Sequence, residues 1–143
     1  MFKKLQEGFT LIELLIAIGI IGIMASVVLV GIDPLDKINA ANDSKVQRDI
    51  NAIANAMESY AATHDGTYAA NQSPTLTNSG DLKVVINPPT GYNPYTVSGG
   101  VSGTVTGQLK SKKYTVGPPV VPAFVWCSTS GRAGATADTA TCP

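Results

Sequence analysis

Apolar residues are laid out in two different ways along this 143-residue chain. From Phe9 to Val30 they are almost continuous, reading "FTLIELLIAIGIIGIMASVVLV". At about 1.5 Å per residue, a helix of this run spans about 33 Å, close to the hydrocarbon thickness of a bilayer. From Asp36 to about Thr63 they are spaced instead: Val46, Ile50, Ile53, Met57 and Tyr60 recur at steps of four and three. That spacing predicts an amphipathic helix with one apolar face, leaving Asp43, Lys45, Arg48, Asp49 and Glu58 largely off the stripe. Between the two runs stands Gly31-Ile32-Asp33-Pro34. Asp33 suits an N-cap and Pro34 the first position of a new helix, so a kink or local break is expected here.

Beyond Thr63 the pattern changes again. His64-Asp65-Gly66 is expected to end the helix, with Gly66 at the C-cap. Residues 69–81 read as a polar loop. Short alternating runs then predict strands at Leu82 to Ile86, Tyr95 to Val97, Val101 to Leu109, Lys113 to Val116 and Val120 to Trp126. "NPPTGYNP" is a turn-rich loop whose prolines bar it from a central strand. "LKSKKY" reads as a connection between two strands. "AFVWC" is expected to be the last core strand, with Trp126 or Phe124 against the helix. The fold class predicted is α+β: a long N-terminal helix, transmembrane in its first half and amphipathic in its second, packed on a small antiparallel sheet. A coiled-coil partner for the amphipathic stripe is the alternative, and the run is short for one.

Charge narrows the function classes. Charged residues make up 14% of the chain and the formal net charge is zero, so no strong global field attracts nucleic acid or an acidic substrate. Lys110, Lys112 and Lys113 form a small basic cluster, read either as a nucleic-acid surface or as a solvated turn, with few aromatic partners nearby. His64 beside Asp65 suggests catalysis or a metal on one reading and a helix cap on the other. No serine or cysteine is placed to complete a triad. Nucleotide-binding and zinc patterns are lacking, and acidic side chains cluster nowhere in the C-terminal half. The expectation is a non-enzyme with no metal and no cofactor. Cys127 and Cys142 are expected to pair as a disulfide rather than remain two thiols, which places the domain outside the cytoplasm. The polar stretch between them, "STSGRAGATADTAT", has no apolar periodicity, and closing such a loop stabilises a fold by roughly 3 kcal/mol.

The long apolar run has three ordinary readings: a signal peptide, a plain membrane anchor or a buried core helix. It is too long for the first and gives no role to Glu13 in the second. Its length and hydrophobicity count against the third. Lys3 and Lys4 precede it, and Asp33 and Asp36 follow it, so the positive-inside rule puts the N-terminus in the cytoplasm. An acid in hydrocarbon costs about 2.5–3.5 kcal/mol at the bilayer centre and less near an end. A cut after Gly8 would give Phe9 a free ammonium, a cation that Glu13 could neutralise in its own chain or in a neighbour.

The basic leader ending in Gly8, followed by "FTLIELLIAIGIIGIMA", resembles the N-terminus of type IV pilins and of the related pseudopilins of type II secretion. The resemblance is close over residues 1 to about 35. It implies that a prepilin peptidase cleaves between Gly8 and Phe9 and that Phe9 is then N-methylated. It implies that Glu13 pairs with the Phe9 amine of an adjacent subunit, and that Gly31 and Pro34 mark a segment that stretches on assembly. On this reading residues 1–8 are a cytoplasmic leader, 9–32 a transmembrane and assembly helix, 33–65 the amphipathic helix of the head, and 66–143 a β-rich head with the C-terminal disulfide loop. The partners implied are further copies of the chain in a helical filament, the peptidase, an assembly ATPase with its platform, and the cytoplasmic membrane before assembly. The finished fibre would lie at the cell surface and serve adhesion, twitching motility or DNA uptake. A pseudopilin, or a bitopic protein whose head binds a ligand, are the alternatives.

Overall fold

The computed structural model describes residues 8–115, 121–137 and 141–143. The leader before Gly8, with Lys3 and Lys4, lies outside the described residues, as do Val116 and Val120, where two expected strands end and begin. The chain divides into two units, Met1–Leu35 and Asp36–Pro143.

The first unit is built on helix α1, Leu11–Gly31. Its described apolar side chains are exposed: the stretch Leu11–Val28 has a mean hydropathy of 2.6 and none of it is buried. Ser26, the one hydroxyl residue within the helix, donates to the carbonyl of Ile23 at 2.7 Å, so its polarity is satisfied locally. Ile32, with φ −105° and ψ 37°, leaves the helical region and ends α1. The next helix, α2, begins at Pro34 and runs to Thr63.

The second unit is a small α+β head. Residues of α2 from Asp36 onward pack on a four-stranded antiparallel sheet in the order β1-β2-β3-β4. The strands are β1 Thr96–Ser98, β2 Thr104–Gln108, β3 Ala123–Cys127 and β4 Arg132–Thr136. Val46, Ile50, Ile53 and Met57 are fully buried, and share a core with Val105, Leu109, Trp126, Leu76 and Leu82. Each such side chain contributes roughly 1.5–3 kcal/mol by leaving water. The β3 pleat divides its residues between the two faces. Trp126 and Phe124 join the helix-side core, while Ala123, Val125 and Cys127 form a second cluster. Gly107 lets helix and sheet approach: a Cβ there would stand 2.8 Å from Val46 Cγ1 and 3.0 Å from the Tyr95 ring.

Several expectations need correction. Leu82 to Ile86 is not a strand. Its end is held by a side chain instead: the Gln72 amide accepts from Ile86 N–H at 2.9 Å and donates to Ile86 C=O at 3.4 Å. Lys113 and Tyr114 belong to a turn closed by bonds from Tyr114 and Thr115 N–H to the Ser111 carbonyl. "AFVWC" is not the last strand. β4 follows it, within the segment that shows no apolar periodicity, and is held by its ladder to β3. At the end of α2 the left-handed residue is Asp65 (φ 52°) before Gly66 (φ 78°), and Gly66 N–H reaches back to the Ala61 carbonyl at 2.9 Å. That five-residue return closes the helix, and a short acidic side chain tolerates the left-handed position. His64 caps the same turn, stacked 3.7 Å from the Tyr60 ring with its Nδ1 2.9 Å from the Tyr60 carbonyl.

The largest difference concerns Asp43. It is 1% exposed and lies on the buried stripe, three residues before Val46. Its carboxylate accepts from Tyr92 Oη at 2.8 Å, Lys110 N at 2.9 Å and Ser111 N at 2.8 Å. Asp49 likewise accepts from Tyr95 Oη at 2.7 Å and from Lys45 Nζ at 2.7 Å. Asp36 accepts from Lys112 N at 2.7 Å. Asp36 and Asp43 therefore clasp the 110–112 turn, and Asp49 holds Tyr95 beside β1.

Candidate processing and assembly site

The residues singled out at the N-terminus lie at the head of α1. Gly8 and Phe9 precede the helix in irregular, exposed backbone, with Phe9 77% exposed. A Cβ added at Gly8 would meet nothing within 4 Å. Among the described residues, packing places no demand for glycine there.

Thr10 is the N-cap, in extended conformation. Its Oγ1 accepts from Glu13 N at 3.3 Å, and Glu13 Oε2 accepts from Thr10 N at 2.8 Å and Thr10 Oγ1 at 2.6 Å. This is a reciprocal capping box, which satisfies two of the backbone donors orphaned at a helix start. Thr10 is the functional residue that sequence reasoning missed. Its signal was present, since Thr10-Leu11-Ile12-Glu13 has the Thr-x-x-Glu spacing directly before an apolar run.

The box has a chemical consequence. It folds the Glu13 carboxylate back toward the start of the helix, where the positive end of the helix dipole also lies. Glu13 and Phe9 are not joined within this chain, because the carboxylate bonds to Thr10. Among the described residues, one negative charge thus stands at the start of an exposed apolar helix, held by the neutral donors of Thr10.

Residues 3–29 match the prokaryotic N-terminal methylation motif. That motif is the prepilin leader of type IV pilins and pseudopilins. The match covers the leader and most of α1, and supports a protein of the pilin or pseudopilin class. No curated protein and no solved structure matches the chain.

Gly31 and Pro34 flank the interruption at Ile32–Asp33, and among the described residues a Cβ at Gly31 would meet nothing within 4 Å. Cys127, 1% exposed in β3, is bonded to Cys142, with Cα atoms 5.8 Å apart. That bond ties the end of the chain to the central sheet. Among the described residues, no three His, Cys, Asp or Glu side chains gather as a metal site would require.

Proposed function

We propose that this chain is a structural subunit that polymerises into a type IV pilus filament. Prepilin peptidase cleaves between Gly8 and Phe9 and methylates the Phe9 amine. The mature subunit waits in the cytoplasmic membrane with its N-terminus inside and its head outside, then enters a surface fibre driven by an assembly ATPase and platform. Glu13 pairs with the Phe9 amine of an adjacent subunit, and Gly31 and Pro34 allow the helix to stretch as it leaves the bilayer.

One observation carries this reading: a glycine, an aromatic and a glutamate stand at 8, 9 and 13, at the mouth of an apolar helix whose described side chains are exposed. Such a face does not persist in water. It is covered by lipid before assembly and by other copies after it, so the transfer keeps apolar surface dry throughout. In either setting the Glu13 carboxylate lacks a cation, and a neighbour's amine supplies one. Pairing two desolvated charges sets the register between subunits, because a shifted neighbour leaves both uncompensated.

The test is Glu13→Ala in the native host. Leader removal, read by N-terminal sequencing of the mature chain, is expected to begin at Phe9 as in the wild type. Sheared surface material is expected to hold no fibres under the electron microscope. Normal fibres from that variant overturn the charge pair, and an unprocessed Met1 in the wild type overturns the reading altogether. Pseudopilins share the leader, so fibre length in the wild type separates the two: long surface filaments mark a pilin, short periplasmic ones a pseudopilin.

A further inference from the structure

Where α2 meets the 110–115 turn there is a cleft of about 190 Å³, which neither the processing chemistry nor the assembly helix uses. Asp36, Ala40, Ser44 and Gln47 line it from the helix, Lys113 and Tyr114 from the turn, and the Asp43–Ser111 clasp lies at its base. The volume equals about six waters at roughly 30 Å³ each, room for one small ring and not for a chain of them.

The hydrogen-bonding state of its walls is specific. Gln47 Nε2 donates to Tyr114 Oη at 2.9 Å, a bond that joins the two sides. Tyr114 then has its own hydroxyl proton unspent among the described residues, and Gln47 its Oε1. Exchanging the amide nitrogen and oxygen only swaps the roles. In either orientation the pair leaves one donor and one acceptor side by side, both half-buried. Ser44 uses its proton on the Ala40 carbonyl at 2.9 Å and keeps acceptor capacity. Asp43 at the base already accepts from three donors, and Asp36, which lines the same cleft, accepts from Lys112 N. Lys113 Nζ lies 5.0 Å from the centre of the Tyr114 ring, which leaves that ring face taken.

We propose that this cleft binds a single terminal sugar ring. Adjacent hydroxyls each donate and accept, and so match an adjacent donor and acceptor as a carboxylate or an ammonium does not. The Ala40 methyl offers a small apolar contact for the C–H face. Recognition is by hydrogen bonds, since the aromatic face is occupied. This site stands independently of the assembly reading, and neither result bears on the other.

The experiment uses the full chain, ¹⁵N-labelled, in micelles of a detergent without a sugar headgroup. Methyl glycosides of glucose, galactose, mannose and N-acetylglucosamine are titrated in turn. At least one is expected to give saturable shifts at the amides of Ser44, Gln47 and Tyr114, with a Kd of about 1–10 mM. Gln47→Ala and Tyr114→Phe are expected to weaken it about tenfold, equivalent to about 1.4 kcal/mol. Should either variant disturb the turn, Ser44→Ala, on an exposed helix position, carries the same test. The proposal is overturned if no glycoside gives saturable shifts up to about 0.1 M, well above such a Kd. It is equally overturned if glycerol or acetate shifts the same amides as strongly, or if folded variants bind as the wild type does.

Discussion

Glu13 and Asp43 are both acids on helices rich in apolar residues, and their surroundings are opposite. Glu13 caps its own helix from an exposed position and, among the described residues, bonds to Thr10. Asp43 is fully enclosed, with a phenol and two backbone amides around its carboxylate. The head has spent its acid internally, on loops that would otherwise have no partner. On the proposed reading, the N-terminal helix keeps its acid for a neighbouring subunit. An uncompensated group on an exposed apolar helix reads as an assembly feature, and a saturated one in a core as a structural feature.

Removing the internal clasp should produce the largest effect on stability. Asp43→Ala orphans three donors at roughly 1–3 kcal/mol each, with water rescuing part of that, so the head should lose about 3–5 kcal/mol. Urea unfolding of the full chain in micelles, followed by Trp126 fluorescence, should show the midpoint fall at unchanged slope. A loss below 1 kcal/mol would mean that the buried carboxylate is not what holds the 110–111 turn. Opening the Cys127–Cys142 bond, by reduction or by Cys142→Ser, should come next at about 3 kcal/mol for a loop of this length. The same titration checks it, and two thiols titrating in the native secreted protein would contradict the bond.

Alkaline pH tests the clasp more finely. Burial, and secondarily the bonds to Asp43 and Asp49, push the Tyr92 and Tyr95 phenols well above their ordinary range. The folded state therefore prefers both phenols protonated. Their contribution is complete below the unfolded value of about 10 and is lost as pH rises from there toward the folded values. Unfolding midpoints should decline above about pH 10, and Tyr95→Phe should flatten the decline while costing about 1 kcal/mol at neutral pH. A decline unchanged in Tyr92→Phe and Tyr95→Phe alike would assign it to other groups.

The smallest effect belongs to the N-terminal helix. Thr10→Val removes one half of the capping box and should cost about 1 kcal/mol in local helix stability. Amide exchange in micelles should speed up at Leu11, Ile12 and Glu13 alone, while the head's unfolding midpoint stays fixed. A shift in that midpoint would show that the two regions are not energetically separate.

What could be read in advance follows the same division. Phe9 to Val30, the Glu13 position, the Gly31–Pro34 interruption and the Val46-Ile50-Ile53-Met57 stripe are written in local order, because a helix repeats every few residues and a bilayer reads only hydropathy along the chain. Asp43 was misplaced by the assumption that an acid belongs on the solvent face, although its spacing from Val46 and Ile50 put it on the stripe. β4 was invisible for a different reason. Arg132-Ala133-Gly134-Ala135-Thr136 has no alternation of its own and becomes a strand through its register with β3. Leu82 to Ile86 has a strand's composition but found a glutamine side chain in place of a neighbouring strand. By itself the sequence determined what must leave water and where the methylation motif lies, since those depend on residues adjacent in order. Only the tertiary structure decided which polar groups were spent on one another, because hydrogen-bond partners such as Asp43 and Ser111, 68 residues apart, meet only once the chain has folded.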